Sequence, residues 1–85
     1  MTPPIISITW LDACADSDWL APDAIRLGLV PIQSVGFLVK HTPTALTIAQ
    51  SLDFEGKSGE RLTVPTDSIQ DLQYLSITLP DDSPL

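Results

Sequence analysis

One cysteine, one histidine and four basic residues are all that 85 residues contain of the groups that most often carry thiol, metal or polyanion chemistry. Cys14, being alone, excludes an intramolecular disulfide. His41 alone makes no zinc ligand set, and no basic residue neighbours Cys14 in sequence to favour its thiolate, so a Cys/His nucleophile is not expected. Asp16-Ser17-Asp18 lacks the glycine and distal glutamate of a calcium loop, and no G-x-x-x-x-G-K-[ST] phosphate loop is present. The chain therefore reads as a non-enzyme without cofactor or metal. No apolar run approaches the roughly 20 residues that span a bilayer. Nothing at the start has the form of a signal peptide, so a cytoplasmic location and no membrane partner are expected.

What is present is apolar. Hydrophobic residues make up 44% and charged ones only 18%, which favours a compact fold over disorder. A chain this short buries only about 60 to 65 per cent of its unfolded surface. A surface so sparse in charge implies that some apolar area is hidden between subunits, hence the expectation of a homo-oligomer. The net charge of −7 repels polyanions rather than releasing their counterions, so DNA and RNA are not expected partners. The acids are scattered, with no acidic run.

Along the chain, "IISITWL" (5–11) alternates, with Ile6, Ile8 and Trp10 on one side, and reads as a first strand. Residues 12–33 hold small, acidic and proline residues, a long connection with one short helical turn in it. There Asp23 would cap "AIRL" and Gly28 would end it. From Gln33 to Lys40, Val35, Phe37 and Val39 would share the core face. "HTPT" then turns the chain into a strand over 45–52, in which Leu46, Ile48 and Gln50 alternate with Thr47, Ala49 and Ser51. "DFEGKSGE" supplies a loop, "RLTVP" a strand stopped by Pro65, "TDSI" a tight turn, and Ile69–Thr78 a last strand. Five short strands bury their apolar faces most economically by closing. The expected fold class is thus mostly β, a small five-stranded SH3-like or Sm-like barrel over 1–79 with a flexible tail over 80–85, the alternative being an open sheet carrying one helix.

"SVGFLVK", "LTIAQSL" and "RLTVPTDSI", preceded by "ITWLD", together resemble a set of short proteins encoded by bacteriophages and prophages. Their pattern is S-V-G-aromatic-L, then L-aliphatic-A-Q-S, then L-T-aliphatic-P with an isoleucine four residues on, and it spans residues 7 to 72. The acidic and asparagine signature of RNA-binding Sm proteins is missing between Gly36 and Ile48. Small phage barrels of this kind are similar to viral sponges that capture nucleotide-derived immune signals of the host. The resemblance thus implies a binding protein in the host cytoplasm that sequesters such a signal and blocks antiviral defence. The alternative is a protein-interaction module that binds or inhibits a host or phage protein through a sheet edge or apolar patch.

The candidate ligand-binding residues are Asp12, Trp19, Ser34, Gly36, Gln50, Ser51 and Arg61. Gly36 inside a strand marks either a bend or a surface where a flat ligand meets backbone. Gln50 offers donors and an acceptor to a base edge, or serves as a buried structural hydrogen-bonder, and a serine hydroxyl such as that of Ser51 suits a ribose or phosphate oxygen. Trp10 falls in the core alternation, whereas Trp19 lies in an irregular loop and is the stacking candidate. Asp12 would cap a turn or accept from a base or sugar. Arg61 would meet a phosphate, or else pair with Glu55 or Glu60.

Overall fold

The computed structural model describes residues 2–13, 19–25 and 28–76. They form one antiparallel sheet of five strands: β1 (Ile5–Asp12), β2 (Val30–His41), β3 (Ala45–Leu52), β4 (Ser58–Pro65) and β5 (Ile69–Leu75). Across the sheet the order is β4-β3-β2-β1-β5. Among the described residues no helix is long and apolar enough to cross a membrane.

The alternation in β1 has the physical effect expected of it. Ile6 and Ile8 are fully buried and join Leu46 and Ile48 of β3 and Val64 of β4 in one core cluster, with Trp10, Leu38, Ile69 and Leu72 packed against it. That cluster draws on both edge strands. Among the described residues no second layer covers this face, so Ile6, Ile8 and Val64 reach 0% exposure because the sheet rolls over it. The edges do not pair with each other, so hydrogen bonds do not complete the ring of a closed barrel. Their link is short: a 3₁₀ turn, Thr66–Ser68, joins β4 directly to β5. Its Thr66 amide donates to the Thr44 carbonyl at 3.0 Å and its hydroxyl to the Pro43 carbonyl at 2.9 Å, tying it to the β2–β3 turn.

The core phase of β2 differs from expectation. Ile6 lies opposite Gly36 and Ile8 opposite Ser34, so Ser34, Gly36 and Leu38 point inward while Val35 is 55% exposed on the outer face. "VGFLV" is apolar at every position with a side chain, so alternation alone leaves its phase open. The pairing with β1 decides it. Two bulges adjust the phase further. One extra residue, Val39, separates the Leu38–Ile48 and Lys40–Thr47 pairs, which turns Lys40 away from the side that Leu38 faces. Another, Gln70, intervenes between the partners of Thr9 and Trp10 on β5, which lets Ile69 and Leu72 both reach the core.

Three boundaries also differ, the first being that β2 starts at Val30 and not at Gln33. The long connection contains a 3₁₀ turn, Pro22–Ala24, that starts at the proline, and Asp23 sits inside it rather than capping it. Proline's fixed φ suits the first position of such a turn. The segment "AIRL" falls partly outside the described residues. β4 begins at Ser58, three residues before "RLTVP", because Ser58 and Gly59 pair with Leu52 and Ser51. The β3–β4 loop shortens to match, with the Asp53 carboxylate accepting from the Glu55 and Lys57 amides at 2.9 and 2.8 Å and Gly56 at φ 85°. The tail expected over 80–85 lies outside the described residues.

Candidate functional site

β2 and β3 pair only near their turn, from Phe37–Ala49 to His41–Leu46. Beyond that point β2 follows β1 as far as Val30–Asp12, and β3 follows β4 as far as Leu52–Ser58, so the two central strands diverge. Gly36 stands at the fork. A Cβ there would lie 2.8 Å from the Ala49 carbonyl oxygen and 3.2 Å from the Ile48 Cβ, so only glycine lets β3 pass so close before it departs.

The divergence opens a groove of ≈ 190 Å³ between the strands. Its side chains continue the inward phase of each strand past the end of the core. Ser34 follows Leu38 and Gly36 on β2, Gln50 follows Leu46 and Ile48 on β3, and Glu60 follows Val64 and Leu62 on β4. Polar residues thus replace apolar ones where the rolled sheet opens to solvent. Ile48 and Leu62 supply apolar wall. Beneath the groove, the half-buried Trp10 indole donates its Nε1–H to the Ser34 Oγ at 3.0 Å, and among the described residues the Ser34 hydroxyl hydrogen has no acceptor.

Glu60 is the unusual member. It falls opposite Gln50, between the Ala49–Arg61 and Ser51–Gly59 pairs, and its φ of 54° is in the left-handed region that side-chain-bearing residues avoid. A strained residue inside a strand at a groove is a recognised mark of a functional position.

Two of the seven residues expected at a site, Ser34 and Gln50, are brought together in the groove, with Gly36 at its inner end. The others are placed elsewhere. Asp12 ends β1 opposite Val30, and Trp19 is 101% exposed in the long connection. Ser51 and Arg61 belong to the outward phase of β3 and β4. Arg61 donates to the Ser58 carbonyl at 3.1 Å and pairs with neither Glu55 nor Glu60; among the described residues the one salt bridge joins Lys57 to Glu55 at 3.2 Å. Glu60, Ile48 and Leu62 were not expected at a site. The strand phase of Glu60 with Val64 is the one sequence signal that reaches any of them. No protein-family model, curated protein or solved structure matches the chain.

Proposed function

We propose that this protein is a non-enzymatic binding protein that sequesters a small ligand by holding a flat, N–H-bearing ring in the groove between β2 and β3. The observation that carries this reading is the convergence of Ser34, Gln50 and the strained Glu60 on one small cleft with apolar walls. A carboxylate accepts two adjacent N–H groups, as on a nucleobase edge, a carboxamide both donates and accepts, and the Ser34 hydroxyl donates. The cleft is smaller than the ~300–1,000 Å³ that encloses a whole drug-sized molecule, so it takes one ring system and leaves the remainder in solvent. A nucleotide-derived signal bound base-inward fits that description, and the bacteriophage-type sequence pattern suggests an antiviral signal of the host as its source. The shared core of β4 and β5 and their three-residue link support reading the rolled sheet as a small SH3-like barrel.

The test uses Trp10 as reporter. With the exposed Trp19 replaced by phenylalanine, nucleosides and cyclic nucleotides are titrated while Trp10 emission and melting are followed. Saturable change with one base, lost in Gln50→Ala and Glu60→Gln, is the expected result. No response to any base would overturn the reading and favour the alternative, a module that binds protein through the open edge of β4 or β5.

A further inference from the structure

The outer face of the sheet carries a second groove that the base-binding reading does not use. We infer that it is a binding site for a phosphate group, built by Lys40, Arg61, Thr47, Thr63 and Ser58.

The chain has 4 basic residues against 11 acidic ones, so two cations on a single cleft is a concentration of the scarcer charge. No carboxylate lines this groove of ≈ 430 Å³. Lys40 is there because of the Val39 bulge, which places it opposite Thr47 instead of in phase with Leu38. Thr47 in turn lies opposite Thr63, and Arg61 is one pleat further along β4 on the same face. The result is a row of ammonium, two hydroxyls and guanidinium across three strands.

The hydrogen bonds leave this row with donors to offer. The Thr47 and Thr63 hydroxyls lie 2.8 Å apart, and one of them donates to the other, so the second hydroxyl hydrogen remains free. Arg61 Nη1 reaches the Ser58 carbonyl at 3.1 Å and its hydroxyl at 3.4 Å, which restrains the guanidinium while its other N–H groups point elsewhere. Among the described residues neither Lys40 nor Arg61 forms a salt bridge. A tetrahedral dianion with several acceptor oxygens is the complement of such a donor set, since guanidinium supplies a planar fork and ammonium a point charge. The volume leaves room for the organic part of a phosphate ester.

The test is a titration with inorganic phosphate, followed through the backbone amide NMR signals of β2, β3 and β4, against sodium chloride at matched ionic strength. Saturable shifts around Lys40, Thr47, Arg61 and Thr63 are expected with phosphate and not with chloride. Lys40→Gln and Arg61→Gln, both at exposed positions, should each weaken binding at least tenfold, and Arg61→Lys should recover part of the loss. Lys57→Gln, outside the groove, should leave affinity unchanged. A response to phosphate no different from that to chloride would overturn the inference, as would equal losses in Lys57→Gln and Lys40→Gln, because binding would then follow net charge and not this site. A parallel titration with a phosphate monoester distinguishes a free anion from an esterified one by which binds more tightly.

Discussion

Replacing Gly36 by alanine adds one carbon atom at the fork between β2 and β3. That atom would meet the Ala49 carbonyl oxygen at 2.8 Å, about half an ångström or more inside the roughly 3.3–3.6 Å at which carbon and carbonyl oxygen ordinarily touch. The obstacle is backbone, held by the Phe37–Ala49 and Ala49–Arg61 pairs, so it cannot swing aside as a side-chain tip would. Overpacking of this kind costs about 1–3 kcal/mol. The reduced freedom of the unfolded chain returns about 0.4–1 kcal/mol. The expected net loss is about 1–2 kcal/mol, which at roughly 4–8 °C per kcal/mol lowers the melting temperature by about 5–15 °C. Gly36→Val should cost more. Gly59→Ala is the control, because a Cβ there meets nothing within 4 Å. The assay is thermal and urea unfolding of the three variants side by side. If Gly36→Ala melts with Gly59→Ala, the close approach at the fork does not exist and the groove loses its structural cause.

Trp10→Ala should destabilise by about 2–4 kcal/mol, below the ~3–5 kcal/mol for full burial because the ring is half-buried, whereas the exposed Trp19→Ala should stay within about 0.5 kcal/mol; urea melts of both decide it. Glu60→Gly should melt no lower than the parent despite placing glycine in a strand, because it relieves a left-handed residue, while Glu60→Val should melt lower by about 1–3 kcal/mol. Asp53→Ala leaves the Glu55 and Lys57 amides without their acceptor and should cost about 1 kcal/mol, read from the same melts. Sedimentation should give a mass at least twice the 9.2 kDa chain if the exposed apolar residues of the sheet are covered by a second copy, and a monomer at high concentration would remove that expectation.

The parts of this fold that sequence made legible are those where period and phase are both marked. Ile6, Ile8 and Trp10 alternate with Ser7 and Thr9, so the core side of β1 is unambiguous, and Pro65 stops β4 because it lacks an amide for the ladder. β2 has the period without the phase. Its Val35, Phe37, Leu38 and Val39 are apolar on both sides, and Gly36, which occupies the core side, contributes no side chain to mark it. Register with β1 decides the matter, and register is a tertiary property. The groove was half legible for the same reason. Ser34 and Gln50 stand out as polar intrusions in apolar strands, whereas Glu60 looks like an ordinary loop acid until β4 is known to start at Ser58. Arg61 and Gln50 both read as ligand-binding residues, yet adjacent positions in paired strands face opposite ways, and the two belong to different surfaces.

The extra residue in β2 acts on the strand as a reading-frame shift acts on a message. Up to Leu38 the even-numbered positions face the core; from Lys40 onward they face away. One strand can therefore serve an acidic cleft on one side of the sheet with Ser34 and a basic cleft on the other with Lys40. The quantity that keeps the two apart is the number of residues between Leu38 and Lys40, not the identity of Val39. Substitutions at position 39 should be absorbed, but removing that residue would carry the Lys40 ammonium to the side of Leu38 and Ile48, a change that no side-chain replacement in the strand could reproduce.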